Sequence, residues 1–132
     1  MASIRSDVSV FVVDDDASVR RSLFRLLGAA GFQVAVFDAP AHFLDAVCFS
    51  KTDRCCLILD IAMPGSSGLQ TVERMHLRGI DIPVIALSAT DDDRTRGMAK
   101  RFGAKLFFSK PVDDKALLDA IEWVTASNQN ED

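Results

Sequence analysis

Cys55-Cys56-Leu57-Ile58-Leu59-Asp60 is five apolar residues in a row closed by a carboxylate, with the turn-rich Met63-Pro-Gly-Ser-Ser-Gly68 shortly after. A strand with one wet face alternates apolar and polar positions. An unbroken run belongs to a strand covered on both faces, as in a parallel sheet packed between helices. Cys55 and Cys56, as neighbours on such a strand, point to opposite faces and cannot share a metal ion. Both read as small buried hydrophobes. Three cysteines, an odd number, also argue against a secreted disulfide framework.

The pattern repeats on either side of this run. Val8 to Val13 is a strand-like stretch stopped by Asp14, Asp15 and Asp16. Val19, Leu23, Leu26, Leu27 and Ala30 then fall at helical spacing, with Asp16 as the N-terminal cap and Gly31 at the C-terminal end. Gln33 to Phe37 reads as a second strand, and Pro40 suits the first turn of a helix carrying Phe43, Leu44 and Val47. Beyond Asp60, a helix over Leu69 to Arg78 closes at Gly79, and Pro83 to Leu87 forms a fourth strand. Asp91, Asp92 and Asp93 open a helix whose last turn holds Lys100 and Arg101, a charge order that complements the helix dipole. Gly103 ends it, Lys105 to Phe108 is the fifth strand, and Leu117, Ile121 and Val124 mark the last helix.

Strand and helix in strict alternation, joined by right-handed crossovers, predict a single doubly wound α/β domain with a five-stranded parallel sheet. The chain has 132 residues and is 48% hydrophobic, enough for a real core. A formal charge of −4 gives no reason to expect a nucleic-acid surface. No apolar run approaches the roughly 18 residues a membrane span needs, and Met1 to Asp7 lacks the apolar stretch of a signal peptide. A cytoplasmic location is expected.

In such sheets ligands gather beyond the carboxyl ends of the strands. Asp14 and Asp15 follow the first strand, Asp60 the third, Ser88 the fourth and Lys110 the fifth. Singly, each reads as an ordinary loop residue. Jointly they bring carboxylates to the rim of neighbouring strands, where two like charges about 4 Å apart repel by roughly 4 kcal/mol at an effective dielectric of 20. A cation between them, or a bound proton, removes that cost. Carboxylate oxygens beside a backbone carbonyl suit Mg²⁺, and the lack of histidine or cysteine disfavours zinc. With Lys110 as a positive charge and Ser88 as a hydroxyl donor, the set suits phosphoryl transfer, and Asp60 is the natural nucleophile.

Val12-Val-Asp-Asp15, Leu57-Ile-Leu-Asp-Ile-Ala-Met-Pro-Gly-Ser-Ser-Gly68, Leu87-Ser-Ala89 and Phe108-Ser-Lys-Pro111 are similar in order and spacing to the signature stretches of response-regulator receiver domains. The resemblance runs from about Val8 to Val124 and is to the nitrogen-fixation-regulator subgroup. It implies a flavodoxin-like fold, (βα)5, with strand order 2-1-3-4-5. It implies Asp60 as phosphoacceptor, Lys110 as the phosphate-binding lysine and Ser88 as the hydroxyl that reports phosphorylation. Mg²⁺ would be held by Asp15, Asp60 and the carbonyl of Ala62, with Asp14 acting mainly through water. Phe107 resembles the switch aromatic, and Lys110–Pro111 the family's cis peptide.

The resemblance further implies a sensor histidine kinase or phosphotransfer protein as phosphoryl source, and self-catalysed phosphorylation and slow dephosphorylation rather than enzyme turnover. The signalling face would be the fourth helix, fifth strand and fifth helix. There Arg94, Arg96, Lys100, Arg101 and Lys105 lie near Asp113, Asp114 and Asp119, a mixture of signs suited either to a symmetric homodimer or to an ordinary solvated face. Residues 1–126 are expected to form the receiver and 127–132 a flexible tail. The receiver would stand alone or precede a DNA-binding output domain. Two other readings bear on the same residues. Asp14-Asp-Asp16 meets the Asp-x-Asp opening of haloacid-dehalogenase-type phosphatases, but Asp113-Asp114 opens a helix where that family needs a strand-end acidic pair. A receiver-like scaffold without phosphate chemistry would not require every signature residue to be in place.

Overall fold

The computed structural model describes residues 4–47, 54–63 and 68–129. Residues 64–67 of the turn-rich loop, Cys48 and the last three residues lie outside that description. A short 3₁₀ turn, Ile4–Asp7, leads into β1 (Ser9–Val13), α1 (Ala17–Ala29), β2 (Gln33–Phe37), α2 (Pro40–Val47) and β3 (Cys55–Asp60). Then come α3 (Gly68–Leu77), β4 (Val84–Ser88), α4 (Asp93–Arg101), β5 (Leu106–Ser109) and α5 (Asp114–Gln129). The strands form one parallel sheet in the order β2-β1-β3-β4-β5, as expected.

The period of two along each strand sorts the core into two layers. Phe11, Val13, Cys55, Leu57, Leu59, Val84 and Ala86 face α2, α3 and α4, meeting Phe43, Leu44, Val72, Met75 and Phe102. Val10, Val12, Cys56, Ile58, Ile85 and Leu87 face α1 and α5, meeting Leu23, Leu27, Leu117 and Ile121. Cys55 and Cys56 thus enter opposite layers, as their adjacency requires. Burying a side chain of this size contributes about 1.5–3 kcal/mol, so these two layers carry most of the driving force for folding. All six residues of β3 are buried, whereas the edge strands β2 and β5 are mostly half-buried.

Helix ends follow the local chemistry. Asp16 caps α1, its side chain accepting from the N–H groups of Ser18 at 2.8 Å and Val19 at 3.4 Å. Gly31 and Gly79 turn the chain after α1 and α3 with φ of 103° and 73°, values that cost a residue with a Cβ dearly.

Some element ends shift by a residue because neighbouring strands set them. β3 includes Asp60, which pairs with Leu87. β4 begins at Val84 and not Pro83, since proline has no N–H, though the Pro83 carbonyl still accepts from Leu57 N. β5 starts at Leu106 rather than Lys105, and α3 runs over Gly68–Leu77 instead of Leu69–Arg78. Asp92 alone caps α4, accepting from Thr95 N; Asp91 stays outside the helix. α5 continues through Gln129. Among the described residues no helix is long and apolar enough to cross a membrane.

Candidate functional site

β1 and β3 are neighbours in the sheet, so the residues that follow their last apolar positions meet at one rim. Oxygen atoms of Asp14, Asp15 and Asp60 all lie within 4.8 Å of one another. Asp14 is fully buried and Asp60 is 4% exposed, while Asp15 is open to solvent. Parallel pairing brings the other two residues to the same end. Ser88 closes β4, and the Lys110 backbone N–H donates to the Ser88 carbonyl at 2.8 Å. The Lys110–Pro111 peptide is cis. The Lys110 ammonium then reaches across the rim to Asp60 Oδ2 at 3.2 Å and Asp14 Oδ2 at 2.8 Å.

Burial and charge together set the electrostatics of this pocket. Burial pushes the Asp60 carboxyl above the ordinary range and the Asp14 charge adds to the rise. The Ala62 N–H, donated to Asp60 Oδ1 at 2.9 Å, and the Lys110 ammonium recover only part of it. For Lys110, burial pulls the ammonium down, but the two carboxylates beside it outweigh burial and the net shift is upward. One ammonium therefore serves two buried carboxylates, with Asp15 as a third acidic group at the same rim. Lys110 Nζ also approaches Asp14 Oδ2 off the direction of a hydrogen bond, so that buried oxygen has a charge contact but no aligned donor. A second cation at this rim would satisfy it. The ligand set is all oxygen, the chemistry Mg²⁺ favours, so the residues fit that ion.

Ser88 is fully buried, and its Oγ accepts from the Thr90 N–H at 3.0 Å. Phe107 pairs with Ala86 in the sheet and packs half-buried against the core layer of α2, α3 and α4. Asp14, Asp15, Asp60, Ser88 and Lys110 thus come to one end of the sheet, and Phe107 lies two positions before Ser109 on the edge strand.

Residues 10–122 match the family model of the response regulator receiver domain. The chain belongs to the response-regulator receiver family. It is 41% identical over 121 residues to the transcriptional regulatory protein TdiR of Thauera aromatica, covering 92% of this chain and 52% of that protein. It is 38% identical over 112 residues to the transcriptional regulatory protein FixJ of Azorhizobium caulinodans, covering 85% of this chain and 52% of that one. The crystal structure of full-length FixJ from B. japonicum superposes with a TM-score of 0.82 at 33% identity, over 92% of this chain and 59% of the other. The receiver therefore sits in the nitrogen-fixation-regulator-like subgroup, and spans about half the length of the curated relatives it matches. Receivers of this family are signalling domains that work with histidine kinases and output domains, with an acidic pocket that generally binds Mg²⁺.

Two supporting interactions of the receiver were not legible in the sequence. Arg20, on the first turn of α1, donates from Nη1 to the Asp14 carbonyl at 2.8 Å and braces the acidic segment from behind. Asp14 Oδ1 accepts from the Asp16 N–H at 2.9 Å. An arginine six positions after Asp14 looks like any charged helix residue until the turn between β1 and α1 folds it back.

Proposed function

We propose that this receiver takes a phosphoryl group from a phosphohistidine of a sensor histidine kinase or phosphotransfer protein onto Asp60. The observation that carries the reading is the meeting of three carboxylates and the Lys110 ammonium at one strand-end rim. Asp15, Asp60 and the Ala62 carbonyl would hold Mg²⁺ directly, with Asp14 helping mainly through water. When bound, the ion supplies charge neutralisation for the carboxylates and the incoming phosphoryl oxygens.

Asp60 Oδ attacks phosphorus in line. A P–O bond forms, the P–N bond breaks, and its electron pair returns to the imidazole of the partner histidine. The Ala62 N–H holds the other Asp60 oxygen and orients the attack. Lys110 exchanges its bond to Asp60 for one to a phosphoryl oxygen, so the ammonium never loses a counter-charge. Ser88 turns its hydroxyl from Thr90 to the phosphoryl group, and Phe107 follows into the space this opens. That movement alters the α4–β5–α5 face, which pairs with a second copy or meets an output partner. The receiver catalyses only its own phosphorylation and slow autodephosphorylation. We assign it to residues 1–126 and to the cytoplasm.

The test is incubation with Mg²⁺ and acetyl phosphate, followed by intact mass. The expected result is a hydrolysable gain of one phosphoryl group that Asp60→Asn abolishes. A label that persists in Asp60→Asn but vanishes in Asp14→Asn would instead support the phosphatase chemistry. A folded, Mg²⁺-binding protein that takes no label would be a scaffold.

A further inference from the structure

Asp91 and Arg96 do something that neither an open surface nor helix capping requires. Arg96, on α4, donates from Nε to Asp91 Oδ1 at 2.5 Å and from Nη2 to Asp91 Oδ2 at 3.1 Å, a two-point grip. The same guanidinium stands over the ring of Phe107, 4.9 Å from its centroid. The grip holds the Asp91 carboxyl below the usual carboxylate range. Asp91 belongs to the short segment after β4 whose other anchor is Ser88, through the Thr90 N–H. One segment three residues long thus joins Ser88 to a guanidinium lying on Phe107.

We propose that Asp91 and Arg96 form a latch over Phe107, a positioning device that holds the ring and the segment after β4 in the arrangement described above and opposes switching. The proposal rests on the reading of Ser88 and Phe107 as the switch pair. If Ser88 turns to a phosphoryl group, Thr90 N–H loses its acceptor and the segment moves. A planar fork held by two parallel bonds tolerates little displacement of its carboxylate before one bond breaks. Arg96 is then free to leave the ring, and Phe107 is free to move. The latch turns a change at Ser88 into a release at Phe107, and it sets the threshold for that release. A cation–π contact at an exposed site gives a bias of about two- to fivefold toward the latched form.

The test uses the full chain with 4-fluorophenylalanine at position 107, read by ¹⁹F NMR without any phosphoryl donor. Arg96→Ala and Asp91→Asn should move the ring signal in the same direction, and the double variant should move it no further than either alone. Arg96→Lys keeps the charge but not the fork and should fall between. Arg94→Ala removes the same charge from the same helix and should leave the signal in place. In parallel, labelling of Asp60 by acetyl phosphate should rise about two- to fivefold in the latch variants. A ring signal unmoved by both single variants, or effects that simply add, would overturn the latch. Unlabelled wild-type protein would count against the phosphoacceptor reading instead, because the ring signal reports the latch independently.

Discussion

Lys110 Nζ donates to Asp60 Oδ2 at 3.2 Å across a separation of fifty residues, which ties the end of β5 to the end of β3 over the intervening β4. The same ammonium faces Asp14, so its removal leaves two buried carboxylates with no positive charge at their inner side. Lys110→Ala should slow labelling by acetyl phosphate about 10²-fold or more, the scale for losing one preorganised donor at a developing charge. It should also lower stability at pH 7 by about 1–3 kcal/mol, measured by urea unfolding without Mg²⁺. Labelling at the wild-type rate would show that the ammonium does not touch the transferred group.

Stability should rise when Asp60 is made neutral. Its carboxyl is held above its unfolded value of 3.8, mainly by burial. The folded state therefore keeps a proton that the unfolded state has given up. The stability this supplies is complete below the unfolded value and is lost as pH rises through the folded one. At pH 7 the ionised Asp60 is a net burden, and Asp60→Asn should raise the urea midpoint in EDTA. That gain should shrink toward zero as the pH falls to 3.8. A lower midpoint for Asp60→Asn at pH 7 would contradict this account.

Mg²⁺ should relieve the same burden in the wild type. An ion that binds only the folded state adds stability as its concentration passes its dissociation constant, about 2.7 kcal/mol at a hundredfold excess. Thermal unfolding in Mg²⁺ against EDTA should show the shift, and Asp60→Asn should blunt it. Equal shifts in the two proteins would place the ion elsewhere.

Cys55 and Cys56 should be inert in the native protein. Both are buried in β3, and desolvation, with Cys55 alongside, pushes the Cys56 thiol far above its usual value. Only thiolate reacts readily, so iodoacetamide at pH 8 should leave both unmodified until urea is added. Peptide mapping by mass spectrometry reads each site separately, and native labelling of Cys56 would mean that β3 opens locally.

Two glycines should respond oppositely to alanine. A Cβ at Gly68 would come within 2.7 Å of Phe102 Cε2 and 3.1 Å of Ile61 Cγ2, at the place where α3 passes the core. Gly68→Ala should cost about 1–3 kcal/mol through overpacking. Gly97, inside α4, has nothing within 4 Å of such a Cβ. Gly97→Ala should stabilise by about 0.5–1 kcal/mol by restricting the unfolded chain. Urea unfolding of the two variants checks both signs at once.

Much of this was readable along the chain because the deciding interactions are local. The bounds of β2 over Gln33–Phe37 and the start of α2 at Pro40 followed from composition and proline chemistry. The cap at Asp16 and the turns at Gly31, Gly79 and Gly103 each depend on one residue's own conformational limits. Cys55 and Cys56 entered opposite layers because a strand has a period of two, whatever it packs against. The carboxylates, Ser88 and Lys110 were legible as a set because a parallel sheet brings every strand's carboxyl end to one side.

The rest waited for the fold, for a physical reason: distance in space across crossovers is not a function of distance in sequence. That β3 includes Asp60 was decided by pairing with Leu87. Arg20 against the Asp14 carbonyl, the unaligned approach of Lys110 to Asp14 Oδ2, and Arg96 over Phe107 all depend on how helices seat against strand ends. Sequence alone determined which chemistry gathers at the rim, since residue type and strand order suffice for that. Tertiary structure decided which oxygen is left without a donor and which arginine lies on the ring, because hydrogen bonds and cation–π contacts depend on orientations that only packed elements impose.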